Sequence, residues 1–511
     1  MVCLRQAVEM KMNNTTLLNQ LLAQGKIALE PANLLNQAPS PLPEDWDYGR
    51  VEGMLLGLAI GDALGNTTES QLPATRRQSH GEIRDYRPNR YASGRPMGVP
   101  SDDSQLAFWT LEQLLEDNRL VPDHQAHRFT QHQIFGIGST VKAFLHSYKD
   151  QGLPWEESGQ PSAGNGALMR IAPVLIPHLR QPSPALWADA ALAGMITHND
   201  RASNACCVAF IHILWECLRL KKAPESSWWV DTFVNTAKEL EGDTHYSPRN
   251  PALPYEGPLW RFVDQEVRLA IKQNWSTLEA CERWHSGAYL LETMPCVLYI
   301  LARHGDNPEE AIVRAVNDTK DNDTIAAIVG AAVGALHGRA GLPARWISSL
   351  LGRTTADDDW HIFELIESAK QTFWRADPPL TSDNLQAVLK FLPLFEQPDF
   401  SPGEWITQEG HLPYFSFTPT VLDFIRALSG NGFIQPFDWM NWREGEQLVD
   451  HPALLRRANL QTLRKLLTAH VRADRFTEGH LAGTFESGHM TLILKQMAEI
   501  HDSEAGESES K

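Results

Sequence analysis

Two glycine stripes constrain this chain more than any other feature of it. Gly53, Gly57, Gly61 and Gly65 recur every four residues in Gly53-Met54-Leu55-Leu56-Gly57-Leu58-Ala59-Ile60-Gly61-Asp62-Ala63-Leu64-Gly65. Gly330, Gly334 and Gly338 repeat that spacing in the apolar run that starts at Ile325. A four-residue period puts each set on one helical face. Each interior glycine costs a helix about 1 kcal/mol against alanine, so the repeat calls for a compensating contact. Close approach of another helix supplies one, and the stripes predict that these two helices lie backbone to backbone. A membrane-embedded pair does not fit. Both apolar runs fall short of the roughly 20 residues a span needs, and Asp62 interrupts the first.

The second striped helix follows Asn317-Asp318-Thr319-Lys320-Asp321-Asn322-Asp323-Thr324. Asp323 takes the position of an N-cap, where a carboxylate accepts from the first free N–H groups. Asp321 is a second carboxylate that the cap does not need. Two carboxylates and a hydroxyl in four residues suit a hard cation that prefers oxygen ligands. Pro100-Ser101-Asp102-Asp103-Ser104 has the same composition and also precedes an apolar helix, with Leu106, Trp109, Leu111, Leu114 and Leu115 inward. The helix dipole favours acids at such a start, so either cluster alone reads as a cap. Two clusters in one chain point to a binuclear site that takes ligands from both.

Other stretches supply candidate pocket walls. In Ser162-Ala163-Gly164-Asn165-Gly166-Ala167-Leu168-Met169-Arg170 two glycines flank an asparagine before a helix start. Backbone N–H groups exposed there suit an anion or a diphosphate. Phe135-Gly136-Ile137-Gly138-Ser139-Thr140 is a weaker version. Glu69 follows the first striped helix in a short polar loop, and His198 sits between two helical patterns. Tyr289 opens a helix and reads either as a core aromatic or as a platform for a base or ribose. Residues 241–258, with several prolines, Tyr246 and Tyr255, form a long loop and a candidate lid.

The formal net charge of -18 argues against a nucleic-acid backbone as partner. It leaves open a phosphate-bearing small molecule held through a metal. Six cysteines include Cys206-Cys207 and no C-x-x-C, so neither a disulfide framework nor a zinc-thiolate site is expected. The first 45 residues have no signal-peptide core. Together these set the expectation of a cytoplasmic protein without a membrane partner. H-E-x-x-H, G-x-S-x-G and G-x-x-x-x-G-K-[ST] do not occur.

Strand patterns are scarce before 376, so the expected class is mainly α. The expected layout is an N-terminal extension and Pro-rich linker at 1–45 and a catalytic domain at 46–376. A smaller, mostly helical domain follows at 380–500, and a disordered tail at 501–511. An amphipathic helix from Asn459, with Leu460, Leu463, Leu466 and Leu467 inward, marks the second domain.

Gly61-Asp62-Ala63-Leu64-Gly65 with Glu69, Ser101-Asp102-Asp103-Ser104, Gly164 to Arg170, Thr197-His198 and Asp321-Asn322-Asp323-Thr324-Ile325-Ala326-Ala327 occur in an order that resembles the ADP-ribosylglycohydrolases. These include the dinitrogenase-reductase-activating glycohydrolase and the ADP-ribosyl-acceptor hydrolases. The likeness covers 46–374 and implies an all-α multi-helix bundle around two Mg²⁺ ions, with Mn²⁺ as the substitute. By that resemblance Ser101, Asp102, Asp103, Asp321, Asp323 and Thr324 are metal ligands, and Glu69 gates the site from a mobile loop. Gly164, Asn165, Gly166, Met169, His198 and Tyr289 line the substrate pocket. The chain departs from the family at Thr319-Lys320, where a glycine pair is common, and at Asn322.

The implied activity is metal-dependent hydrolysis of the glycosidic bond between ADP-ribose and an acceptor, with Asp321 as base and Glu69 as second catalytic group. The competing reading is a silent module that binds ADP-ribose or a nucleotide. Oxygen donors at all six ligand positions favour the hydrolase. The substrate would be an ADP-ribosylated protein or small molecule, and an ADP-ribosylated base stays open. The C-terminal stretch resembles a small bacterial domain of unknown function, which supplies no activity for it; the two-domain layout alone motivates a targeting role.

Overall fold

The computed structural model describes residues 13–374 apart from 44 and 70, and residues 380–509 apart from 408–412, 436–438, 440–441, 443–444, 446–447, 450 and 475. The chain divides into two compact units, Met1–Arg375 and Ala376–Lys511. The junction expected at 376–379 lies outside the described residues.

The first unit is helical throughout, with only isolated bridges besides among its described residues. Among its helices are α1 (Asn14–Ala23), α2 (Gly49–Gly65), α3 (Pro73–His80), α4 (Asp102–Asp117), α5 (Ala185–Met195), α6 (Arg201–Arg219), α7 (Ser226–Glu241), α8 (Leu259–Gln273), α9 (Leu290–His304), α10 (Pro308–Asp318) and α11 (Asn322–His337). The striped helices α2 and α11 are the centre. α11 is buried from Asn322 to Leu336, and α2 from Val51 to Gly65. A helix that is apolar all round belongs inside a core.

The two run antiparallel, backbone against backbone, as the stripes predict. A Cβ at Gly57 would stand 2.7 Å from the Gly330 carbonyl carbon, and one at Gly53 would stand 2.7 Å from Arg339 N. One at Gly65 would come within 2.5 Å of Asp323 N. Glycine is therefore required by space along the whole seam. α11 ends at Gly338, whose φ of 71° suits glycine and whose N–H donates back to Gly334 O. α6, α9 and α10 pack around α11, and α7 and α8 form the next layer.

The described part of the N-terminal extension, residues 13–43, packs into the first unit. Leu18, Leu21, Ile27, Leu29 and Leu35 belong to the main core. The indole N–H of Trp187 donates to Gln37 O and that of Trp215 to Ser40 O, at 2.7 and 2.8 Å. These two bonds seat the chain around the Pro-rich stretch on α5 and α6.

The second unit has its own core, built by Leu385, Val388, Phe424, Leu463, Leu467 and Ile493 among others. Leu463, Leu466 and Leu467 of the Leu460–Ala473 helix point inward as expected, and Asn459 caps it by accepting from Thr462 N. A hairpin pairs β1 (Gly403–Ile406) with β2 (Tyr414–Phe417), with Gly403 opposite Phe417. The last helix runs His489–Glu509, so the backbone of the expected tail is helical to Glu509, and Ser510 and Lys511 lie outside the described residues. No described helix is long and apolar enough to cross a membrane.

Candidate active site

Two helix starts meet at the end of the striped pair. α4 begins at Asp102 with Ser101 as its N-cap, whose Oγ lies 3.4 Å from Asp103 N. α11 begins at Asn322, which makes Asp321 the cap residue. That corrects the expectation for Asp323, which lies inside the first turn. Asp321 makes no capping bond, because its carboxylate turns away to accept from Asn165 Nδ2 at 2.7 Å. Between α10 and α11 only three residues turn the chain. Ser286 holds them, its carbonyl accepting from Asp321 N at 2.9 Å and its Oγ from Lys320 N at 3.0 Å. His285 and Ser286 both adopt positive φ, 67° and 40°. Strained backbone of this kind gathers at functional sites.

Asp62 joins the two starts, and sequence reasoning missed this role. It is wholly buried in α2. Its carboxylate accepts from Ser101 N at 2.9 Å, Ser104 N at 3.1 Å and Ser104 Oγ at 2.5 Å. The signal was present, since a lone acid with no basic neighbour stood inside an apolar helix. Carboxylate oxygens of Asp62, Asp103 and Asp323 lie within 4.8 Å of one another. Asp62 spends its lone pairs on α4 and orients that helix start. Asp103 Oδ1 and Asp323 Oδ1 are different: each is buried and has no hydrogen-bond partner.

Electrostatics follow from this crowding. Burial first, then the neighbouring Asp62 and Asp323 charges, pushes the Asp103 carboxyl well above its ordinary range. Burial and Asp62 do the same for Asp102. Burial and then Asp321 and Glu69 raise Asp323. Burial raises Asp321 to about 6, opposed by the Asn165 hydrogen bond. Glu69, raised by the partial burial of its carboxyl and by Asp62, faces the same group. A cluster of carboxylates whose buried oxygens lack donors could hold a cation. Its all-oxygen donor set fits a hard divalent ion such as Mg²⁺.

The cluster forms one wall of a cavity of about 450 Å³. Glu69, Asp102, Asp103, Asp321, Asp323 and Thr324 line it, as do Gly164, Asn165, Gly166, Met169, His198 and Tyr289. Ser101 alone of the expected site residues is not in the lining. Its hydroxyl donates to Asp103 Oδ2 at 3.0 Å. Thr324 Oγ1 reaches the same oxygen at 3.4 Å.

The glycine loop is fixed from two sides. Asn165 N donates to Ala288 O and Leu290 N to Ala163 O, at 3.0 and 2.9 Å. His198 lies under it, and a Cβ at Gly166 would stand 2.9 Å from His198 Cε1. Burial, then Arg170, lowers the His198 pKa to about 3, so the ring is neutral. Its Nδ1 is 2.9 Å from Thr197 Oγ1, which also accepts from Arg170 Nη2 at 2.9 Å.

Arg76 and Arg249 were not picked out by the sequence. Arg76 is fully buried on α3 and ties the Glu69 loop to the segment before Asp321. It donates to Thr68 Oγ1 at 3.0 Å, Gln71 O at 2.9 Å and Thr319 O at 2.8 Å. Asn322 strengthens that tie through Gly65 O at 3.0 Å and Thr68 Oγ1 at 3.2 Å. Arg249 comes from the long 241–258 loop and lines the cavity.

Fold and site together define a helical first unit with a carboxylate-walled pocket beside a glycine loop that could hold a cation. The chain belongs to the ADP-ribosylglycohydrolase family, whose pattern matches residues 43–375. Residues 380–503 match a family of unknown function (DUF6508). The ADP-ribosylarginine hydrolase Tri1 of Pseudomonas putida (strain GB-1) is 27% identical over 342 residues, 64% of this chain and 81% of that protein. The ADP-ribosyl-[dinitrogen reductase] glycohydrolase of Rhodospirillum rubrum is 25% identical over 59% of this chain and 90% of its own length. ADP-ribosylhydrolase ARH3 of Xenopus tropicalis is 24% identical over 60% and 93%. A solved chain titled "ADP-ribosylglycohydrolase-related protein complex" aligns with a TM-score of 0.48 at 26% identity, covering 64% of this chain and 98% of that one.

Proposed function

We propose that the first unit hydrolyses the glycosidic bond between ADP-ribose and an acceptor, reversing ADP-ribosylation. The observation that carries this is the convergence of two acidic helix starts and a glycine loop on one cavity. Family membership and the activities for which its relatives are named support it.

Asp103 and Asp323, with Ser101, Asp102, Asp321 and Thr324, would hold two Mg²⁺ ions, Mn²⁺ being the substitute. When bound, such ions supply Lewis acidity and acidify water. Asp321 is the general base. Its carboxylate lines the cavity, where it can take the proton from an attacking water. The Asn165 amide fixes the orientation of its carboxylate. The carboxylate wall favours positive charge as it develops on the ribose C1″ in an oxocarbenium-like transition state.

The glycine loop offers backbone N–H groups to the diphosphate. Arg170 donates to Thr197 Oγ1, which leaves the hydroxyl proton for His198 Nδ1. The ring proton then sits on Nε2, facing Gly164 and Gly166 as a neutral donor. Glu69 is the exposed residue of a short turn that Arg76 anchors, and it gates the cluster. Catalysis is assigned to the first unit and targeting to the second. The five described cysteines are free and buried, which supports a reducing, cytoplasmic setting.

The test is release of free ADP-ribose from acceptors ADP-ribosylated on arginine, on serine, on a nucleic-acid base or on a small molecule, with and without Mg²⁺. Metal-dependent release from at least one is expected. No release from any, with ADP-ribose binding intact, would turn the assignment into a silent binding module.

A further inference from the structure

Among the described residues lining the cavity, Arg249 is the sole cation. It stands against five carboxylates, Glu69, Asp102, Asp103, Asp321 and Asp323, with His198 held neutral. Its attachment is uneven. The backbone around it is fixed. Tyr246, three residues earlier, donates from its hydroxyl to both oxygens of Asp200 at 2.9 and 3.0 Å. Tyr246 and Gly257 exchange two backbone hydrogen bonds across the loop, at 2.9 and 3.1 Å. Asn250, the next residue, donates from Nδ2 to Arg283 O at 2.8 Å.

The guanidinium is held loosely. It lies 5.0 Å over the Tyr289 ring and 3.6 Å from Glu292 Oε2, beyond hydrogen-bond reach, and the side chain is 65% exposed. Glu292 itself is buried, its side chain 5% exposed, but without a hydrogen bond the pair fixes no geometry for the guanidinium. Glu292 does not depend on Arg249 alone, because His285 and Lys320 also favour its charged form. Tyr289 is bridged to Gly164, so the resting guanidinium lies beside the glycine loop.

We propose that Arg249 is a specificity-determining residue: its guanidinium leaves Glu292 and binds the diphosphate of the substrate across the glycine loop. This rests on the ADP-ribosyl reading of the cavity. Divalent ions held by the aspartates would offset the carboxylate charges, which leaves Arg249 as the side-chain cation of the lining that is free for the diphosphate, and a guanidinium is the side chain whose planar fork pairs with phosphate oxygens in a bidentate manner. A fixed loop with a free head puts that fork in place at little ordering cost. Tyr289 and Glu292 serve as its resting position.

The measurement is calorimetric binding of ADP-ribose to the full chain, which is separate from turnover. Arg249→Met should weaken ADP-ribose about tenfold, with Arg249→Lys recovering part of the loss. Glu292→Gln frees the guanidinium and should leave affinity equal or tighter. In turnover, KM should rise in Arg249→Met with kcat nearly kept, because the interaction holds substrate and transition state alike. Unchanged ADP-ribose affinity in Arg249→Met would overturn the inference and leave the hydrolase reading standing. So would a loss in Glu292→Gln as large as that in Arg249→Met, which would make Glu292 the ligand-facing group. Failure of the wild-type chain to bind ADP-ribose would overturn both readings.

Discussion

Gly61→Ala tests the link between the helix seam and the site. A Cβ at Gly61 would stand 2.7 Å from Ala327 N and nearer still to the Ala326 carbonyl. Ordinary heavy-atom contacts lie at about 3.5–4.0 Å, so α2 and α11 must part locally by about 1 Å. Overpacking of this kind costs about 1–3 kcal/mol. The obstructing atoms are backbone and cannot rotate aside, which argues for the upper part of that range. Replacing a helical glycine by alanine returns about 1 kcal/mol. The net loss is then about 1–2 kcal/mol, roughly 1–3 °C in Tm for a unit of this size. Asp62 is the next residue, so the same movement draws its carboxylate away from Asp103 and Asp323. Gly53→Ala wedges the seam two turns earlier, about 12 Å along the helix. Thermal unfolding and Mg²⁺ calorimetry on both variants separate the effects. Both should lose stability, and only Gly61→Ala should lose Mg²⁺ affinity substantially. Wild-type stability in Gly61→Ala, or a greater Mg²⁺ loss in Gly53→Ala, would refute the argument.

Three further outcomes are expected. Asp103→Asn removes one charge from a crowded acidic group, so its Tm in EDTA should exceed the wild-type value while Mg²⁺ binding by calorimetry is lost; a lower Tm in EDTA would contradict the repulsion. Glu69→Gln should reduce kcat at least tenfold in single-turnover assays and change Mg²⁺ affinity less than about threefold, because it gates the site and does not hold it; wild-type rates would remove Glu69 from the mechanism. His361 has its pKa raised to about 9 by the hydrogen bond to Glu112, 2.8 Å away. The raised value means that its stabilisation is fully present below its ordinary pKa of 6.5 and disappears as pH rises through about 9. The Tm deficit of His361→Gln should therefore be largest below pH 6.5 and vanish above pH 9, and a pH-independent deficit would assign the effect to packing.

The two glycine stripes determined, without coordinates, which helices meet and that they meet through their backbones. The acidic helix starts and the glycine-flanked Asn165 marked the cavity walls in the same way. So did the leucines after Asn459 for the second core. These are one-dimensional signals: a period, a cap composition or a residue too small to be there by chance.

Other features needed three dimensions. Asp62 is one acid in an apolar run until folding brings Ser101 and Ser104 to it, and only those donors make it an orienting group. Asp321 and not Asp323 became the cap residue because Ser286 grips the loop and Asn165 attracts the carboxylate from another part of the chain. Leucines between Leu18 and Leu35 are visible in the sequence, but the surface that receives them exists only after α5 and α6 have packed. Arg249 shows no pattern at all. Its position as the sole cation in the described cavity lining is set by hydrogen bonds from Tyr246 and Asn250, and by carboxylates whose proximity depends on distances rather than on order in the chain. Helical period and glycine spacing are local and survive in the sequence; shared burial, charge crowding and side-chain direction arise only when remote segments occupy the same few ångströms.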